Sequence, residues 1–198
     1  MKLLIATRNR HKFEEIKDIL QLPEYELLCL ADFPHIPEIE EDGNTIMSNA
    51  VKKAVIGALA TKLWTIADDT ALEIEALGGR PGVHSARYAG IPVNYEANNA
   101  KVLREMSGVK NRKAVFRCVI ALADPSGYTQ IVEAECHGTI AHSPSGTGGF
   151  GYDSIFIPDG YSQTFAEMDF SLKNKISHRA LALQKAREKW LKHYPLHF

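Results

Sequence analysis

Apolar positions along the chain fall into short runs and helical stripes that alternate. Lys2–Ala6 is a short apolar run and predicts a first strand. Phe13, Ile16, Ile19 and Leu20 then recur at helical spacing, which predicts a helix over Asn9–Leu20. Tyr25–Leu30 predicts a second strand. Gly43-Asn44-Thr45 opens a long helix, whose Ile46, Ala50, Ala54, Ala58 and Leu59 make a small-residue face suited to close packing. The run Trp64–Ala67 leads into Asp68 and predicts the end of a buried strand; Leu72–Leu77 predicts a further one. Gly78–Gly82 breaks regular structure, and Asn94–Met106 reads as helix. Ala114–Asp124 and Tyr128–Ala141 are long strands joined through Pro125-Ser126-Gly127, a hairpin signal. Ser143–Asp153 is a glycine-rich loop and Ile155–Ile157 a short strand. A last helix is expected over Ser177–Tyr194, with Ala180, Leu183, Ala186 and Trp190 on one face. Early alternation of strand and helix, followed by a late hairpin, implies an α/β fold with a mixed sheet.

Composition refines this only slightly. The 198 residues suit one large domain or two lobes sharing a core. Hydrophobic residues at 45% and charged residues at 24% are ordinary globular values. A net charge of −1 offers no polybasic field for nucleic acid or a membrane surface. The N-terminal apolar run is too short for a signal segment or a membrane span, so a cytoplasmic protein is expected. Cys29, Cys118 and Cys136 all sit in apolar surroundings, which predicts buried, reduced thiols.

Chemistry concentrates in a few segments. Asp68 and Asp69 are adjacent acids that repel unless a cation is near. They are either a metal and general-base site or a solvated turn. Thr7-Arg8-Asn9-Arg10-His11-Lys12 crowds donors at a strand-to-helix turn, where a helix N-terminus favours phosphate. The plain alternative is a cap by Asn9 with solvated charges. It is not a Walker A loop, since the required glycines are absent. Glu40 and Glu41 precede the long helix, where acids are stabilising in any case. In Thr147–Asp153 glycines surround Phe150, so that backbone can approach a flat ligand and the ring can stack on a base. His178 and Arg179 open the last helix against its dipole, which suggests an anionic or carbonyl partner.

TRNRHK, EEDG, SNAVKKA, ADDT, LGGRPGVHSARY, TGGFGYD and KNKISHR occur in the order and spacing of the inosine triphosphate pyrophosphatase family. Each is weak alone; together they are specific, and the resemblance covers essentially the whole chain. It implies one nucleoside triphosphate pyrophosphatase domain over residues 1–198, with an elongated α/β fold. In that fold a long twisted mixed sheet is flanked by helices, with two lobes around a central cleft. It implies Mg²⁺-dependent hydrolysis of non-standard purine nucleoside triphosphates (ITP, dITP, XTP) to monophosphate and pyrophosphate, cleansing the nucleotide pool. It also implies a homodimer, for which Tyr88 and the Gly78–Gly82 loop are interface candidates.

Residue by residue, the resemblance implies that Thr7, Arg8, Asn9, Arg10, His11 and Lys12 bind the triphosphate. Asn49 and Lys53 lie near the phosphates, and Lys12 and Lys53 stabilise the departing pyrophosphate. Glu40, with Glu41 as the alternative, reaches the metal together with the Asp68–Asp69 pair. Asp69 matches the proton acceptor. Phe150, Gly151, Tyr152 and Asp153 match the base pocket, and Lys173, His178 and Arg179 surround the purine oxygen. Two positions depart from the pattern. Thr70-Ala71 stands where Ser-Gly is frequent, although Thr70 keeps the substrate-facing hydroxyl. Ser48 stands where a Glu is frequent, which leaves any metal to Glu40, Glu41 and Asp69.

Overall fold

The computed structural model describes residues 2–191. In chain order the elements are β1 (Lys2–Ile5), α1 (Arg10–Leu20), β2 (Glu26–Cys29), α2 (Ile46–Thr61), β3 (Trp64–Ile74) and β4 (Pro81–Gly82). They continue with α3 (Tyr95–Glu105), β5 (Lys113–Ala123), β6 (Thr129–Ile140), β7 (Phe156–Pro158), α4 (Phe170–Ile176) and α5 (His178–Ala186). Among the described residues the strands form one sheet in the order β2-β1-β3-β5-β6-β7, with β4 paired to β3. β1 is parallel to β2 and β3, whereas β4 is antiparallel to β3 and β7 to β6. This is the mixed-sheet α/β architecture that the alternation predicts.

The described chain gathers into two compact units. The first comprises residues 2–69, 118–134 and 179–191; the second comprises Thr70–Arg117 and Glu135–His178. In the first, Leu3, Ile5, Ile66 and Ile120 from strands meet Ile16 and Leu20 of α1 and Leu183 of α5 in one buried cluster. Trp190, in a π-helical turn over Arg187–Leu191, closes it. On α2, Ala50, Ala54 and Ala58 pack with Ala6, Ala67, Val119 and Ala121. Small side chains here let helix and strands approach closely, and Gly57 marks the tightest point. A Cβ at that position would lie 2.9 Å from Thr65 Cγ2 and 3.1 Å from Leu4 Cδ2. In the second unit, Leu72, Ile74, Met106, Phe116, Phe156 and Phe165 form the core. Cys29, Cys118 and Cys136 are buried thiols, not joined in disulfides. No helix among the described residues is long and apolar enough to cross a membrane.

Four elements differ from the sequence expectation. Pro81–Gly82, expected to break regular structure, pairs as β4 with Leu72 and Glu73 of β3. The strand expected to end at Asp68 instead runs unbroken from Trp64 to Ile74, so both aspartates are strand residues. Neighbouring cations make this possible, because they offset carboxylates that would otherwise break a buried strand. Glu75–Leu77 is a 3₁₀ turn ended by Gly78 at φ +64°, not the continuation of a strand. α4 is an additional short helix, and α5 follows it directly, with Ser177 between them as the C-cap of α4. Its apolar stripe was hard to see because Lys173 and Lys175 interrupt it. The expected stretch 192–194 of the last helix lies outside the described residues.

Candidate functional site

In the first unit a charged cluster forms around the centre of β3. Asn9 caps α1: its side-chain oxygen accepts from the His11 and Lys12 N–H groups at 2.9 and 3.2 Å. The hydroxyl of Thr7 accepts from the Asn9 N–H at 3.1 Å, which fixes the turn. This cap directs Lys12 inward, and its ammonium stands 3.3 Å from Asp68 Oδ2. Arg10 and His11 remain exposed, while Arg8 donates to the Ile36 carbonyl. On α2, Asn49 Oδ1 accepts from the Gly43 N–H at 2.8 Å, tying the acidic segment to the helix. Glu41 is thereby drawn to Lys53, which donates to its Oε1. Lys53 also donates to the Asp68 carbonyl at 2.6 Å and stands 3.8 Å from Asp69 Oδ1. Glu40 is exposed.

Adjacent strand residues face opposite sides, and the two aspartates meet different partners. Asp68 Oδ2 accepts from Arg179 Nε and Nη2 at 3.2 and 3.1 Å. The third arm of that guanidinium, Nη1, donates to Glu15 Oε2. Burial alone would raise the Asp68 pKa, but Lys12, Arg179 and Lys53 together outweigh it and hold this carboxyl well below the usual carboxylate range. Asp69 shifts the other way. Burial raises its pKa, Lys53 opposes, and the negative charge of Glu41 adds to the rise. Burial would raise Glu41 as well, but Lys53 and Lys12 bring it below its ordinary value. For Lys12, burial and Arg179 lower the pKa, but Asp68, Asp69 and Glu41 together outweigh them, so its ammonium is held charged.

The donor set suits a hard cation. Glu41 and Asp69 both face Lys53, so two carboxylates share one locality. Among the described residues no three His, Cys, Asp or Glu side chains form a closed metal cage. Mg²⁺ characteristically takes one or two carboxylates and completes its shell with water and substrate phosphates, so these residues fit it.

The second unit carries the aromatic loop. Gly149 and Gly151 adopt φ +70° and +64°, conformations that side chains rarely take, and they set Phe150 at the loop tip. Asp153 Oδ2 accepts from the Phe150 N–H and from Lys173 Nζ, both at 2.8 Å. The Lys173 ammonium lies 5.4 Å from the Phe150 ring centre, and the Tyr95 ring lies 6.1 Å from it, tilted by 43°. Asn99 donates to the Gly151 carbonyl at 3.0 Å, so α3 braces the same loop. The Tyr152 ring is buried in the core, and its hydroxyl donates to the Ser85 carbonyl at 2.7 Å. His178 is buried and stacks on Phe116, with ring centres 4.3 Å apart and planes at 14°.

Both clusters collect residues far apart in sequence. The chain belongs to the Ham1 family, whose model matches residues 3–189. The dITP/XTP pyrophosphatase of Geobacter sulfurreducens is 49% identical over 193 residues, covering 96% of this chain and 97% of that protein. That of Desulforamulus reducens is 48% identical over 190 residues, covering 95% and 94%. The solved structure of a HAM1 protein from Coxiella burnetii is 37% identical, with a TM-score of 0.86, and covers 95% of this chain and 97% of that one. The resemblance carried by the motifs is therefore sound.

Some residues in these clusters escape a reading of sequence alone. Glu15 follows another glutamate on a surface-like helix, yet it is only 2% exposed. The signal was its place beside Ile16 on the apolar stripe of α1. Phe116 reads as an ordinary core strand residue, and nothing in sequence announces that Tyr95 contacts Phe150.

Proposed function

We propose that this chain is a nucleoside triphosphate pyrophosphatase. It hydrolyses non-standard purine nucleoside triphosphates (ITP, dITP and XTP) to the monophosphate and pyrophosphate. It does so with Mg²⁺, in the cytoplasm, as a homodimer. The observation that carries the activity is the meeting of Lys12 and Lys53 with Glu41, Asp68 and Asp69 at β3. Phosphoryl-type transfer is mostly positioning and charge stabilisation, and this cluster supplies both. Lys12 and Lys53 stabilise negative charge on the leaving group. Asp69 orients a water and takes its proton as the water oxygen bonds to the α-phosphorus. The bond from that phosphorus to the bridging oxygen breaks, and its electron pair leaves with pyrophosphate. Asp68 holds Lys12 in place and stays anionic. Glu41 and Asp69 would hold Mg²⁺, which when bound neutralises phosphate oxygens.

Phe150 stacks on the purine, and the fixed Asp153–Lys173 pair holds its loop in shape. The identity of the base is read by hydrogen-bond donors at the purine 6-oxygen. A site built for one such group can reject its absence by about 10⁴-fold. The relatives named dITP/XTP pyrophosphatase support this substrate class. Ile91 and Val93, 85% and 51% exposed, provide apolar surface that a second subunit would cover.

Pyrophosphate release from a panel of nucleoside triphosphates tests this function. ITP, dITP and XTP are expected to turn over far faster than ATP, whose adenine carries an amino group where these bases carry the 6-oxygen. Equal turnover of ATP, or release of orthophosphate alone, would overturn it. Sedimentation should report twice the chain mass, and a monomer at micromolar concentration would remove the dimer.

A further inference from the structure

The geometry points to a second binding pocket, in the unit that holds Phe150, for a compact phosphate-bearing anion. A cavity of about 700 Å³ opens where β5 begins and β6 ends. Ligand pockets commonly occupy roughly 300–1,000 Å³. None of its lining residues belongs to the clusters described above.

Its charge is one-sided. Lys110 and Lys113 line it, and among the described residues neither ammonium has an ion-pair partner. Arg112 lies between them in sequence and is immobilised. It donates to the carbonyls of Ile140, Ala141 and Met106 at 2.6, 2.7 and 3.0 Å. Carbonyls fix the guanidinium without cancelling its charge. The lining carboxylate is Glu167, and both its oxygens are engaged. One accepts from the Ser145 hydroxyl at 2.6 Å and the other from the Thr164 N–H at 2.7 Å. The acid therefore serves the loop and leaves the lysines unpaired. Ser143 and Ser162 add exposed hydroxyls.

Exposed lysines usually face water, but here they line a concavity with a fixed guanidinium and hydroxyls, a donor set matched to phosphate oxygens. No Phe, Tyr or Trp lines the pocket, and its one imidazole, His142, is exposed. The site is rich in cationic and hydroxyl donors and poor in stacking surface, so the ligand class is a small polyanion, either inorganic or the phosphate end of a sugar phosphate.

Amide chemical shifts of the full chain, titrated with pyrophosphate, orthophosphate and ribose 5-phosphate, test this pocket. Saturable shifts are expected at Lys113, His142 and Ser143. A stronger response to ribose 5-phosphate than to orthophosphate would identify a sugar phosphate as the preferred source, and the reverse an inorganic anion. The double variant Lys110→Ala/Lys113→Ala should weaken binding about tenfold or more, since two charge-assisted contacts are lost. Its kcat/KM for ITP should stay within about twofold, because neither lysine touches the residues proposed for hydrolysis. Ser143→Asp, which adds a carboxylate, should abolish the shifts. The pocket is refuted if these amides do not respond at millimolar anion. It is equally refuted if chloride reproduces the shifts, or if neither variant diminishes them. Loss of ITP hydrolysis in the wild-type protein would overturn the proposed function and leave this measurement untouched.

Discussion

Asp68 and Asp69 are chemically identical neighbours with opposite duties. Asp69→Asn keeps the shape and removes both the charge and the proton acceptor. Its kcat is expected to fall about 10²–10⁴-fold, the range for losing a general base. Nucleotide binding should persist and the melting temperature should hold; near-normal kcat in steady-state assays would exclude Asp69 as the base. Arg179→Ala acts differently, since it removes the guanidinium that Glu15 and Asp68 share in the buried cluster and leaves Asp68 to Lys12. Breaking a buried ion network from one side costs about 3–5 kcal/mol, and urea denaturation should show that loss. An unchanged midpoint would mean that water enters and replaces the guanidinium. The acid pair was legible in sequence because two carboxylates after an apolar run demand explanation. The task of Arg179 was not, because its place beside His178 pointed to a ligand, whereas its Nε, Nη1 and Nη2 donate to Asp68 and Glu15.

Close packing of α2 on the sheet explains why Gly57 stands inside a helix. Alanine ordinarily improves a helix by about 1 kcal/mol. Here its methyl would meet the stiff, buried Thr65 side chain at 2.9 Å. Gly57→Ala should therefore destabilise by about 1–3 kcal/mol, the usual cost of overpacking, and lower the melting temperature in calorimetry. A rise would show that the strand gives way. The β5–β6 hairpin carries a pH signature. Asp124 Oδ1 accepts from the Ser126 N–H, the Ser126 hydroxyl and the Tyr128 N–H at 2.8, 2.6 and 3.1 Å. The Ser126 hydroxyl bond leads the causes that lower its pKa. A lowered folded-state pKa means stability that is present above the ordinary carboxylate value and lost as pH falls through the folded one. Asp124→Ala should thus cost about 1 kcal/mol at neutral pH. The gap to wild type should begin to narrow below about pH 4, and a gap undiminished at about pH 2 would contradict this account. The hairpin and the helices other than α4 were readable from turn residues and periodicity. The continuity of β3 was not, because only partners distant in sequence make its aspartates tolerable.

At the level of the entire chain, charge balance matters more than net charge. The β3 cluster sets Lys12, Lys53 and Arg179 against Glu15, Glu41, Asp68 and Asp69. Three cations facing four carboxylates cannot by themselves welcome a polyphosphate. A divalent cation is therefore expected to be obligatory. EDTA should abolish turnover and also weaken ITP binding measured by calorimetry, with Mg²⁺ restoring both. Full activity in metal-free buffer would require another source of positive charge. The α/β class and the candidate positions could be read from motif order, whereas this deficit needed Glu15, whose charge masks its place on the apolar stripe of α1.

The bond between Glu15 and Arg179 spans 164 positions of the chain. A ribosome making the protein at about 5–20 residues per second therefore releases Glu15 and Asp68 many seconds before the guanidinium that neutralises them exists. Until then the nascent chain holds acids that it cannot bury, and the first unit stays open to chaperones and proteases. A product cut short before Arg179 lacks the charge that joins Glu15 to Asp68 and so lacks the clasp of the first unit.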